Sequence, residues 1–241
     1  MTIKAVVFDV GETLVDETRP WSWWADRIGV PRLTFLSVLG AVIARGDEWQ
    51  NVFTIFRPDF EVAAESLAAR RSGEFVPVEA GDLYPDVEPC LRVLLDAGYR
   101  IGVAANQPSS TEAVVHGLGL PFDVVASSET WGVAKPDPAF FGRIVSELRL
   151  EPNEIAYVGD RLDNDVTPAA RAGMIAVFLR RGPWGWILAG RETPLDAAIT
   201  IDTLADLPEA LAALDGREPT GIAGSGAGGL LLAAEQAERQ A

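Results

Sequence analysis

The sequence predicts an α/β protein: a parallel, doubly wound sheet with helices on both faces, interrupted by one all-helical insertion. Six short runs rich in β-branched residues recur along the chain, most of them without the polar alternation of a half-exposed strand, and segments of helical spacing separate them. Strand alternating with helix is the pattern of a sheet whose crossovers are helices. The alternation fails once, between residues 16 and 83, where apolar helical runs follow one another with no strand.

Residues 3–8 are the first expected strand, which ends on Asp9. The stretch that follows carries Trp21, Trp23, Trp24 and Trp49 and is broken at Gly29-Val30-Pro31 and Arg57-Pro58-Asp59. An insertion there overlies the carboxyl edge of the sheet, where open α/β folds bind ligands, so it is placed as a lid. Its closely spaced tryptophans are expected chiefly to form its core, with a pocket-lining role as the other reading. Then come, in turn, a helix at 87–97, a strand at 100–103, a helix at 111–118, a strand at 123–126 and a helix at 139–148. A strand at 155–158, a helix at 163–172 and strands at 175–179 and 198–201 follow, with a last helix at 204–214. Arg180, Arg181 and the Gly-Pro-Trp-Gly-Trp run at 182–186 are expected as a surface loop near the insertion. The core is therefore assigned to 1–15 and 84–214, the helical insertion to 16–83, and a glycine-rich flexible tail to 215–241, whose final residues form a candidate helix for protein contact. No Gly-Lys-Ser/Thr follows the tail glycines, so they do not read as a phosphate-binding loop.

With 241 residues, 48% of them hydrophobic and 23% charged, the chain can bury a substantial core and is neither fibrous nor disordered. Twenty Lys and Arg against 35 Asp and Glu leave a net charge of −15, which disfavours nucleic acid and anionic membrane surfaces as partners. The single cysteine, Cys90, allows no intrachain disulfide, and a reducing cytoplasm is the expected location. The apolar run at 33–44 falls short of the roughly 20 residues needed to cross a bilayer.

Asp9 ends the first strand, where a carboxylate can serve as nucleophile or metal ligand. The run Tyr157-Val158-Gly159-Asp160-Arg161-Leu162-Asp163-Asn164-Asp165 crowds acids into one turn after a buried strand. Such acids repel one another unless a cation intervenes, and magnesium suits hard oxygen ligands. Lys135, one of two lysines in the chain, stands in a Lys-Pro-Asp-Pro turn and offers a compact positive charge to an anionic substrate. His116 and Cys90 fall on helical stretches, where packing or solvent exposure is the expected role.

In this order the segments around Asp9, Lys135, and Gly159-Asp160 with Asn164-Asp165 resemble the first, third and fourth motifs of the haloacid dehalogenase (HAD) superfamily of hydrolases. The resemblance extends to about residue 214 and implies a Rossmann-like core with a helical cap inserted after the first strand. It implies that Asp9 attacks a phosphoryl group of a small phosphorylated metabolite and forms an aspartyl phosphate. Asp9, the backbone carbonyl of Gly11 and Asp160 would hold Mg²⁺, with Asp165 ligating or orienting through water, and Lys135 would neutralise the crowded negative charge.

At two positions the chain departs from that pattern. Most phosphatases of the superfamily carry a second Asp two residues after the nucleophile as general acid and base, worth about 10²- to 10⁴-fold, and Gly11 stands there. The second motif ends in Ser or Thr, and Ala105 stands there, leaving backbone N–H groups and the Asn106 side chain to bind phosphate oxygen. Glu12 and Asp16 are the neighbouring acids that offer a replacement, and Glu12 needs an irregular turn to face the site. Without a replacement, acyl or aryl phosphates are the expected substrates. The alternatives are a catalytically silent binding protein and, at lower weight, a 2-haloacid dehalogenase, which usually has an aromatic residue where Gly11 stands and needs no metal. A phosphonate hydrolase would need a cap lysine, and 16–83 has none. Trp131 is placed to touch substrate.

Overall fold

The computed structural model describes residues 2–190 and 195–216; the tail expected at 215–241 lies, beyond its first two residues, outside them. Strands β1 (Ala5–Phe8), β2 (Arg100–Ala105), β3 (Val124–Ser127), β4 (Ile155–Gly159), β5 (Ile175–Leu179) and β6 (Ile199–Ile201) form one parallel sheet. Their order is β3-β2-β1-β4-β5-β6, so the chain reverses direction of winding at β1. Each of the six matches an expected run to within a few residues. β1, with the sequence Ala-Val-Val-Phe, is buried on both faces, which is why its apolar run shows no alternation.

Four helices separate β1 from β2: α1 (Thr18–Ile28), α2 (Arg32–Arg45), α3 (Asn51–Phe56) and α4 (Val62–Ser72). The remaining helices are α5 (Val87–Asp96), α6 (Ser110–His116), α7 (Ser128–Trp131), α8 (Pro138–Leu148), α9 (Thr167–Arg171), α10 (Gly182–Ala189) and α11 (Leu207–Asp215). Alternate strand residues feed two cores. Val6, Phe8, Val103 and Val177 pack with Leu91, Leu94 and Leu207 from α5 and α11, while Ala5, Val7, Tyr157 and Phe178 pack with Phe140, Phe141 and Ile144 of α8.

A third core belongs to the insertion and gathers Phe35, Leu39, Val42 and Phe53, with Trp21 and Trp24 partly buried against it. Trp184 of α10 completes it, 8% exposed and 6.2 Å from the Trp21 ring. The segment expected as a surface loop is thus a helix packed on α2, a correction to the composition-based reading. Its proline stands in the first turn, where the missing N–H costs no helical hydrogen bond, and apolar burial outweighs the glycines. The helix expected at 163–172 begins instead as a π-helical turn, Leu162–Val166, before α9. Among the described residues, no single helix is long and apolar enough to cross a membrane.

Candidate active site

Parallel pairing brings the motif residues to one sheet edge. Phe8 pairs with Val103 on one side and Val158 on the other, so Asp9, Ala105 and Asp160 all emerge at the carboxyl ends of the central strands. The Asp9 amide donates to the Val158 carbonyl at 2.9 Å, fixing where the chain leaves the strand. Asp9, Lys135 and Asp160, with Trp21, Trp24 and Arg70 of the insertion, line a cavity of about 660 Å³.

Lys135 joins the acids. Its ammonium lies 2.6 Å from Asp9 Oδ1 and 2.5 Å from Asp165 Oδ1, with the side chain fully buried. Burial works against this charge, but Asp165 and Asp9 outweigh it and hold the ammonium well above its ordinary value. Asp165 Oδ2 accepts the Arg161 amide at 3.0 Å. A Cβ on Gly159 would fall 2.4 Å from Asp165 Cγ, so the carboxylate can approach this strand end only over glycine.

Asp9, Asp160 and Asp165 each offer a carboxylate oxygen, all within 4.8 Å of one another. Two of the three, Asp9 and Asp165, pair with the Lys135 ammonium. Asp160 Oδ2 is buried with no hydrogen-bond partner, and burial, followed by the charges of Asp165 and Asp9, pushes the Asp160 carboxyl well up. An orphaned oxygen in an all-carboxylate set is the donor chemistry a hard divalent cation takes, so these residues fit Mg²⁺. Gly11, expected to contribute its carbonyl, lines the same cavity.

The sequence profile of the haloacid dehalogenase-like hydrolases matches residues 3–173. The chain belongs to this family. The hydrolase is 35% identical to a glyceraldehyde 3-phosphate phosphatase of Methanopyrus kandleri over 130 residues, 53% of this chain and 54% of the relative, and so spans about half of that protein's length. It is 31% identical to a phosphoglycolate phosphatase of Rhodospirillum rubrum over 200 residues, 74% of this chain and 80% of the relative. A crystal structure of a HAD phosphatase from Thermococcus onnurineus superposes with a TM-score of 0.56 at 28% identity, covering 89% of this chain and 99% of the other. L-2-haloacid dehalogenase of Xanthobacter autotrophicus, at 23% identity and TM-score 0.61 over 88% of this chain and 100% of that one, shares the fold.

Several side chains of this hydrolase do something other than their motif position suggests. The Asn106 amide is not free for phosphate: its Nδ2 donates to the Lys135 carbonyl and its Oδ1 accepts the Lys135 amide, both at 2.8 Å. It therefore positions Lys135. Ala105 is buried in the sheet core, and the hydroxyl residues lining the cavity are Ser66 of the insertion and Ser110, Thr111 and Ser128. Trp131 packs edge-on against Phe140, 5.2 Å between centroids, in the core rather than on the cavity wall. Cys90 is buried, and burial pushes its thiol up to about 12, as packing requires and reactivity does not. Trp21 and Trp24 serve both readings, filling the insertion's core and facing the cavity.

Glu12 does sit in an irregular turn, with φ of 50°. Its Oε1 accepts the Glu17 amide at 3.0 Å and its Oε2 the Tyr84 hydroxyl at 2.7 Å, so both oxygens are occupied. Burial raises this carboxyl, and the Tyr84 bond opposes the rise. Arg181 stacks on the Tyr84 ring at 4.2 Å, bonds the Thr13 carbonyl at 3.0 Å and pairs with Asp86, bracing the loop after β1. Asp16 is a local cap: its Oδ1 accepts the Thr18 amide at 2.8 Å.

Glu17, not singled out from the sequence, lines the cavity with Asp9 and Gly11. Its Oε1 accepts from Gln107 Nε2 at 2.9 Å. Burial, then the charges of Glu12 and Asp9 against the hydrogen bonds from Gln107 and Trp21, pushes this carboxyl up to about 7. No spacing rule marks position 17, because its placement depends on how α1 docks over the sheet; the only trace in the sequence is the acidic trio at 12, 16 and 17.

Proposed function

We propose that the chain is a Mg²⁺-dependent phosphatase of small phosphorylated metabolites, acting through Asp9 in the cytoplasm, with residues 16–83 as its cap. The observation that carries this reading is the buried set of Asp9, Lys135 and Asp165 beside the orphaned Asp160 oxygen, opening on a cavity. The phosphatases among its relatives support it. Asp9 is the nucleophile. Lys135 holds Asp9 Oδ1 and offsets the charge that builds up as a phosphoryl group approaches, while Asn106 fixes the Lys135 backbone. Asp9, Asp160 and the Gly11 carbonyl would hold Mg²⁺, with Asp165 behind them. Bound there, the cation would polarise the phosphoryl oxygens. The Asp160 carboxylate, with an unpartnered oxygen, favours phosphoryl transfer over 2-haloacid dehalogenation.

Phosphate release is measured with and without Mg²⁺ from acetyl phosphate, 2-phosphoglycolate and glyceraldehyde 3-phosphate, with Asp9→Asn as the control. Turnover that needs both the cation and Asp9 is expected. Folded protein that releases phosphate from none of them would refute the reading and favour a silent binding protein.

A further inference from the structure

We propose that Glu17 is the proton donor and acceptor of this enzyme, its carboxyl group occupying the space that a side chain at Gly11 would take. The inference rests on the phosphatase reading and adds to it the residue that the motif lacks.

The geometry ties the two positions together. A Cβ built on Gly11 would lie 2.6 Å from Glu17 Oε1, 2.8 Å from Glu17 Cδ and 3.1 Å from Glu17 Oε2. All three contacts are to one carboxyl group, so that group and a side chain at position 11 exclude each other. The glycine is the complement of Glu17, rather than a simple loss two residues after the nucleophile. Glu17 is also held in place. Its backbone amide is bonded to Glu12 and its Oε1 to Gln107, the residue after the Asn106 that grips Lys135.

The nearby acids are otherwise engaged. Both Glu12 oxygens are taken by protein donors, Asp16 caps its own turn, and Asp163 is paired with Arg161 at 2.7 Å. Asp160 and Asp165 belong to the cluster around Lys135. Glu17 is left as the carboxyl that lines the cavity wall with Asp9 and fills the space beside Gly11, held there by hydrogen bonds from the side chains of Gln107 and Trp21.

In the first step the Asp9 carboxylate forms a bond to phosphorus as the P–O bond to the alkyl group breaks, and the departing oxygen takes the proton of the Glu17 carboxyl. In the second, water attacks the phosphorus of the aspartyl phosphate and gives its proton to the Glu17 carboxylate. The P–O bond to Asp9 breaks, inorganic phosphate leaves, and Glu17 is again protonated. An acyl phosphate needs no proton in the first step but still needs the base in the second.

That asymmetry is the test. Glu17→Gln keeps the shape and an acceptor for Gln107. With the alkyl phosphate that the wild type turns over fastest, it is expected to lose about 10²- to 10⁴-fold in kcat. With acetyl phosphate it is expected to accumulate a phosphoryl adduct, seen by intact-protein mass spectrometry and absent from the Glu17→Gln, Asp9→Asn double variant. A merely structural role for Glu17 would lower adduct formation from both substrates alike, and that result, or an alkyl phosphate kcat within about threefold of wild type, would overturn the proposal. A second variant exchanges the two positions: Gly11→Asp with Glu17→Ala is expected to regain at least about tenfold over Glu17→Ala alone. A folded exchange variant with no gain would count against it. Wild-type protein that neither turns over nor labels on Asp9 would instead fail the phosphatase reading itself, and the proposal with it.

Discussion

Glu17 should make the folded protein less stable than it would otherwise be, and Glu17→Gln should reveal by how much. The carboxyl titrates at 4.5 when unperturbed and at about 7 in the folded chain. Between those values the folded protein binds a proton that the unfolded chain has released. Stability therefore falls as pH rises from about 4.5, and the full penalty is reached above about 7. The interval is 7 − 4.5 = 2.5, and at 1.36 kcal/mol per pH unit it sets a ceiling of about 3 kcal/mol. Because Glu17 is only part-buried and lines the cavity, roughly half of that is the realistic expectation, about 1–2 kcal/mol. The assay is urea unfolding of metal-free wild type and Glu17→Gln at about pH 8 and about pH 5, compared at matched m-values. The variant should be the more stable at the higher pH, with most of its advantage gone at the lower. An equal midpoint at pH 8, or the same gain at both values, would show that this carboxyl is not held out of its ordinary range. A residue that costs stability where it stands is characteristic of a site shaped for chemistry.

Other substitutions probe the rest of the site. Lys135→Met leaves Asp9 and Asp165 buried without their shared partner and should cost about 3–5 kcal/mol in chemical denaturation at neutral pH, together with nearly all turnover. Asp160→Asn removes the orphaned carboxylate oxygen: the metal-free variant should be no less stable than wild type, while titration calorimetry should show at least about tenfold weaker Mg²⁺ binding. In the wild type, Mg²⁺ at about 100 times its dissociation constant should add about 2.7 kcal/mol to unfolding stability, and chelation should reverse it. Trp184→Ala should lose about 3–5 kcal/mol, because it empties a ring-sized space in the insertion's core rather than trimming a surface loop.

What could be read from the chain and what could not divide along physical lines. The strands were visible because a strand buried on both faces must be continuously apolar, as in Ala5–Phe8 and Ile175–Leu179, and that is a local property. Asp9 and Asp160 are visible as carboxylates that follow such runs, and Lys135 as one of two lysines in the chain, set in a Lys-Pro-Asp-Pro turn. α10 was not visible: glycine, proline and two tryptophans within five residues have loop-like composition, and only the apolar face offered by α2 makes a helix of them. The role of Asn106 escaped because its amide closes on the backbone of a residue 29 positions away. Glu17 escaped for the same reason. The sequence neighbours of Gly11 include Glu12 and Asp16, whereas the carboxyl that meets the glycine comes in from Glu17 at the start of α1, a contact made only in three dimensions.

Trp184 also constrains how the two lobes can move. It lies in the aromatic nucleus of the insertion, yet it is carried by a helix that follows β5, and the Arg161 guanidinium lies over its ring at 5.0 Å. Sliding the insertion off the sheet would expose an indole that buries some 150–250 Å², about 4–6 kcal/mol of apolar contact at 25 cal/mol/Å². Pivoting about the indole exposes far less. At the Arg70–Glu129 contact, the insertion meets the core through only a 3.9 Å ion pair between part-exposed side chains, worth about 0–1 kcal/mol. The energetically easy motion is therefore a rotation hinged at α10 that parts the lobes at Arg70.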